Sequence, residues 1–227
     1  MIRRRISHGS RGKTWERYLD QLHSEYIDSG IAAVTRNHPE IHQRSVITSK
    51  GTFTASYGKP AAVDYRIDAA GWSLVYDAKE CRGVSFPWPN LHAHQAMYLD
   101  QCEAQSGSLV ALILFHDAKQ HVGLVVPWAT IREGYYIWLD HHTDPSGVPL
   151  KRGLGSIRFD ELRKRAVYCG STAPFFGDRF DYLRAVLRWL SDLGPRREYR
   201  RQVAFDIEDR ISRMRPFVGP LDLAMEE

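Results

Sequence analysis

At 227 residues, with 43% apolar and 26% charged side chains, the chain can build one domain with a full-sized core, alone or with a tail. No apolar run nears the roughly 20 residues of a membrane span, and no apolar stretch follows the basic N-terminus, so neither an anchor nor a signal peptide is expected and the chain is placed in the cytoplasm. A formal net charge of +4 does not by itself argue for nucleic acid, and Cys81, Cys102 and Cys169 are too widely spaced for a CxxC or zinc pattern, which points to free thiols in a reducing compartment.

Arg3, Arg4, Arg5, Arg11 and Lys13 crowd the start of the chain, and residues 1–12 read as a basic arm. Residues 13–29 follow as an amphipathic helix, with Trp15, Leu19, Leu22 and Tyr26 at helical spacing and Gly30 as its stop. Residues 31–35 form a short apolar strand. Over 44–57 two β-prone runs flank Lys50-Gly51, as in a hairpin. The flanks carry Arg36, Arg44, Lys50 and Lys59 against one acid, Glu40, so a basic projecting stalk is expected over about 36–60.

Strands at 61–67 and 72–79, joined through Ala70-Gly71, predict an antiparallel pair. The two prolines of 81–89 predict a loop. A helix is expected from Asn90 as N-cap to about Ala104. Residues 108–116 are nearly all apolar, as in a strand covered on both faces, and 121–126 supply a neighbour. Pro127 opens a helix to about Asp140, and a polar stretch, 141–156, follows. Tyr182, Val186, Leu187 and Leu190 mark an amphipathic helix over 178–193, closed by Gly194-Pro195. The order of elements predicts an α/β fold, a mixed β-sheet flanked by helices, over 13–193. Residues 194–227 form a basic extension containing Arg196, Arg197, Arg200, Arg201, Arg210, Arg213 and Arg215. Basic ends can neutralise phosphates; solvated tails are the plain alternative.

The chemistry concentrates at Asp77-Ala78-Lys79. Residues i and i+2 of a strand share a face, so Asp77 and Lys79 stand about 6.8 Å apart on one side while Trp72, Leu74 and Tyr76 take the other. Asp64 interrupts the apolar run of the partner strand, and the hairpin brings it beside Asp77. Two carboxylates and the Ala78 carbonyl offer the oxygen ligands that a hard cation such as Mg²⁺ needs. Lys79 can hold a water or offset charge growing on phosphorus. Gln95 lies on the inward stripe of its helix and could orient a water or a phosphate oxygen; it could equally be a satisfied core amide. Glu16, beside the apolar stripe of the first helix, is a further ligand or general base, or a surface acid. His92 and His94, two apart on a helix, are not expected to share a face. Trp88 either stacks on a base or packs.

Beyond that short pattern, RGKTWE (11–16), VDY (63–65), DAKE (77–80), SFPWPNLHAHQ (85–95), GSIRFDEL (155–162) and GDRFDYL (177–183) resemble the RecU family in order and spacing, over about residues 10–190. The resemblance implies a restriction-endonuclease-like core of the PD-(D/E)xK nuclease superfamily. It implies a homodimer that resolves four-way (Holliday) DNA junctions by paired symmetric nicks, using Mg²⁺ with Mn²⁺ as a substitute. Recombination proteins such as a branch-migration helicase are implied partners. Asp64, Asp77 and Lys79 match the family's metal-binding and catalytic positions, and Glu16 and Gln95 its supporting ones. The basic hairpin matches the stalk that enters the junction, and Arg11, with Lys13 beside it, a DNA-contacting arm. The family usually has Glu-x-Lys where this chain has Asp77-x-Lys79, which brings the carboxylate one methylene closer to the strand. A nuclease acting on other DNA substrates and a DNA-binding module without catalysis are the alternatives.

Overall fold

The computed structural model describes residues 8–105, 109–143, 155–172 and 180–192, with 8–13 and Thr143 described by backbone alone. Ten strands and five helices occur among them. In chain order these are α1 (His8–Asp28), β1 (Ala33–Arg36), β2 (Ile41–Gln43), β3 (Ala55–Tyr57), β4 (Tyr65–Ala69), β5 (Trp72–Cys81) and β6 (Ser85–Pro87). Then come α2 (Ala93–Ala104), β7 (Leu109–Asp117), β8 (Val122–Pro127), α3 (Arg132–Thr143), β9 (Ser156–Arg158), α4 (Phe159–Arg165), β10 (Tyr168–Ser171) and α5 (Tyr182–Asp192).

Six strands form one mixed sheet in the order β1-β4-β5-β7-β8-β10. Only β5 and β7 run parallel, because α2 carries the chain across between them; the remaining pairs are antiparallel. Both faces are covered. Trp15, Leu19 and Leu22 of α1 and Leu183, Val186 and Leu190 of α5 pack on Leu74, Tyr76, Leu112 and Leu114. On the other face Ala96 and Leu99 of α2, Tyr135 of α3 and Phe159 and Leu162 of α4 pack on Val75, Ile113 and Phe115. The expected α/β class, with a mixed sheet between helices, is what forms. The nearly continuous apolar run of β7 has its reason here, since alternate residues feed opposite cores.

Local chemistry explains the β4–β5 hairpin. Ala70 and Gly71 both adopt positive φ, 49° and 78°, the tight turn whose twist matches the strands. The hairpin β2–β3 stands apart as its own two-stranded sheet, turning through Thr48–Thr52 with Lys50-Gly51 at its tip. Every residue from 41 to 50 is exposed.

Several expected boundaries move. Residues 8–12 are helical rather than part of an arm, and Arg36 belongs to β1 of the main sheet rather than to the stalk. The stretch 81–89 is not all loop: β6 pairs with β9, and Trp88–Asn90 make a 3-10 turn. Asn90 therefore closes that turn, and His92 caps α2. Trp88 is 3% exposed and packs edge-on against Phe86 and Tyr135, so it is not free to stack on a base. Short elements β9, α4 and β10 lacked enough periodicity to be predicted. Residues 1–7, most of 141–156 and the extension 194–227 lie outside the described residues, as do the side chains of Arg11 and Lys13.

Candidate active site

The register of β4 against β5 builds the site. Tyr65 pairs with Tyr76, so Asp64, one residue before Tyr65, stands opposite Asp77, one residue after Tyr76. There β4 ends while β5 runs on to Cys81, held only by β7. The continuing edge of β5 is open where the two acids meet. Asp64 Oδ2 takes up that edge, accepting the Ala78 N–H at 2.8 Å. A strand residue directs its N–H and C=O to the same neighbour, so the Ala78 carbonyl faces the same edge.

Asp77 is fully buried. Its Oδ1 accepts from Gln95 Nε2 at 2.7 Å. Its Oδ2 lies 2.6 Å from Lys79 Nζ, a charge contact that is off the line of a directed hydrogen bond and leaves that oxygen without one. Gln95 is used at both ends. Its Oε1 accepts from Lys79 Nζ at 3.1 Å and from the His92 N–H at 3.0 Å. The amide orientation follows from its neighbours: the NH₂ end meets the acid and the carbonyl end meets the cation. Burial pushes the Asp77 carboxyl up to about 8; the Lys79 ammonium opposes that rise and the Asp64 carboxylate adds to it.

This donor set fits a hard divalent cation. A buried carboxylate oxygen lacks a directed partner, a second carboxylate stands opposite, and a main-chain carbonyl faces the same edge. Among the described residues no group of three or more His, Cys, Asp or Glu side chains converges. Glu16 therefore stays outside the acid pair. It contacts Arg36 at 2.5 Å, and Arg36 also bonds Asp20, tying α1 to β1. Asp20 in turn accepts from Tyr65 Oη at 2.7 Å.

The basic residues expected to meet DNA are dispersed. Arg44, Lys50 and Lys59 are exposed on or beside the projecting hairpin, with Arg44 Nε donating to Ser56 Oγ at 2.7 Å. The hairpin also exposes Val46 and Tyr57, 86% and 80% accessible, which no expectation had included. His92 and His94 do meet, ring on ring at 5.6 Å, because His92 precedes the helix and escapes helical geometry. Beside Lys79 opens a groove of about 420 Å³, walled by β5 beyond Ala78 and by the segment Phe86–His92. Proline punctuation in 85–90 and the motif SFPWPNLHAHQ (85–95) were the sequence signals for that wall.

The model of the recombination protein U family, RecU, matches residues 10–144. The chain belongs to the RecU family. The matched stretch contains Asp64, Asp77, Ala78, Lys79 and Gln95, and also Glu16. A protein of Lactobacillus delbrueckii subsp. bulgaricus named Holliday junction resolvase RecU is 34% identical over 117 residues, 49% of this chain and 56% of the relative. Its namesake in Staphylococcus saprophyticus is 30% identical over 116 residues, again 49% and 56%. That of Staphylococcus carnosus is 26% identical over 197 residues, 83% of this chain and 85% of the relative. The chain thus spans about half the length of the first RecU relatives it matches. Among the described residues no helix is long and apolar enough to cross a membrane.

Proposed function

We propose that this RecU-family chain is a structure-selective endonuclease that resolves four-way DNA junctions by metal-dependent phosphodiester hydrolysis. The observation that supports it above all is the meeting of Asp64, Asp77, Lys79 and Gln95 at the open end of β5. Asp64, Asp77 and the Ala78 carbonyl would hold Mg²⁺, with Mn²⁺ as a substitute. When bound, the cation supplies positive charge toward the phosphate and acidifies water.

The chain's own residues do the rest. Lys79 stands at the mouth of the site, where its ammonium can neutralise charge on a phosphate oxygen or hold the attacking water. Gln95 fixes the direction of both Asp77 and Lys79, so neither must reorganise when DNA arrives. Cleavage would leave 5′-phosphate and 3′-hydroxyl ends. The exposed basic hairpin, with Arg44, Lys50 and Lys59, would enter the junction centre. A two-fold dimer would present two sites to symmetry-related strands, giving paired nicks. Arg36 is assigned to bracing α1 against β1 rather than to DNA, with Glu16 as its partner. Such an enzyme would work in the cytoplasm beside recombination proteins such as a branch-migration helicase.

The test is cleavage of a four-way junction with Mg²⁺ by the parent and by Asp77→Asn, with linear duplex and flap DNA in parallel. Loss of junction cleavage in Asp77→Asn is expected. Unchanged cleavage would refute the site, and equal cleavage of duplex would refute junction selectivity.

A further inference from the structure

The groove beside Lys79 is not used by the chemistry above. It measures about 420 Å³, within the roughly 300–1,000 Å³ range of sites that enclose small organic molecules. Lys79 borders both the groove and the acid pair. A phosphate held at Lys79 would leave its neighbouring nucleoside at the mouth of this groove.

The far wall is stiff. Phe86 and Trp88 are buried, and between and after them Pro87, Pro89 and Asn90 are turned outward. β6 is pinned through Phe86 opposite Ile157, and the Trp88 N–H donates to Gly155 O at 3.0 Å. The His92 N–H is held by Gln95, so the wall is joined to the catalytic cluster. The rings of Pro87 and Pro89 offer apolar contact to a base, and Asn90 offers an amide that both donates and accepts. His92, mostly exposed at the same wall, stacks on His94, and the partial burial of its ring, the Lys79 charge and His94 hold its imidazole below its ordinary pKa. A neutral imidazole adds one donor and one acceptor. The groove joins a charged side, with Lys79, Glu80 and Arg82, to the apolar wall of Phe86, Pro87 and Pro89, so that charge can hold the backbone while the wall selects.

We propose that this groove holds the nucleoside flanking the scissile phosphate, and that Asn90, assisted by His92, reads its base. The assignment rests on the nuclease reading above. Asn90 would set a preferred base at one position beside the cut, because a bidentate amide contact discriminates among bases by roughly 10- to 100-fold.

The experiment uses the full chain with Mg²⁺ and junctions whose branch point migrates through a randomised core, with cut positions read by sequencing. The parent is expected to favour one base at a flanking position. Asn90→Ala, a surface change, should flatten that position to within about twofold while other positions keep their profile, and His92→Ala, which also removes the cap of α2, should flatten the same position beside any uniform loss of rate. Asn90→Asp should change which base is favoured, since a carboxylate only accepts; a merely structural role for Asn90 would not exchange one preference for another. Variant profiles that superimpose on the parent's would overturn the assignment, as would a parent with no preference next to the cut. A parent that cuts no DNA at all would instead sink the nuclease reading, and the groove assignment with it.

Discussion

At the scale of single residues the site depends on one buried acid and the amide that holds it. Gln95→Ala removes the donor to Asp77 Oδ1 and the acceptor for Lys79. Losing such an outer partner typically costs about 10–100-fold in activity or metal affinity. That loss is expected in kcat/KM for junction cleavage. Gln95→Glu should be worse, because it sets a third carboxylate against Asp77. Asp77 also makes stability depend on pH. Its carboxyl is raised by burial to about 8 against an ordinary value of 3.8. The folded protein therefore binds a proton there that the unfolded chain has released, and the stability this gives is full below the ordinary value and lost as pH rises toward 8. Asp77→Asn, which never ionises, should melt about 4 °C or more above the parent at pH 8 without metal, and show no gain in Tm when Mg²⁺ is added. A parent that melts above the variant under those conditions would contradict the buried, raised carboxyl.

The elements that carry the site have their own sensitivities. The β4–β5 hairpin sets Asp64 opposite Asp77, and its turn needs positive φ at two residues. Ala70→Gly should stabilise by about 0.5–1 kcal/mol and Gly71→Val should destabilise by more than that, read as urea midpoints at unchanged m-value. On β8, Gly123 lies directly under the buried Phe180 ring, which a Cβ at that position would overlap. Gly123→Ala should cost about 1–3 kcal/mol in the same measurement, since the ring must shift within a packed core. The α2 crossover matters for a different reason. It brings Gln95 back over β5 from outside the hairpin, which makes the cluster a product of three elements rather than of one strand pair.

Across the whole molecule the projecting hairpin is separable from the sheet. β2 and β3 pair only with each other, and nearly the whole of 41–57 is exposed. Replacing residues 41–57 by a short Gly-Ser link should leave Tm within about 2 °C, because little apolar area leaves the core. Junction binding relative to duplex binding should fall by about tenfold or more, measured as paired Kd values at fixed salt. Equal selectivity with and without the hairpin would deny it a part in junction recognition.

The sequence by itself determined the secondary structure that has strong local physics behind it. Helix α1, strand β7, the Ala70-Gly71 turn and the Lys50-Gly51 hairpin were all legible, since periodicity and turn chemistry act over neighbouring residues. It also put Asp64, Asp77 and Lys79 on one site, because strand alternation and a tight turn settle which side chains face each other. Tertiary structure alone decided the rest. The segment 85–90 became a strand and a 3-10 turn only because β9, some 70 residues later, pairs with it. Glu16 went to Arg36, Trp88 into the core, and His92 onto His94, since each contact depends on where separate elements pack and not on local spacing. Burial of Asp77 is likewise a consequence of closing α2 over the sheet, and so its raised pKa could not be read from the sequence.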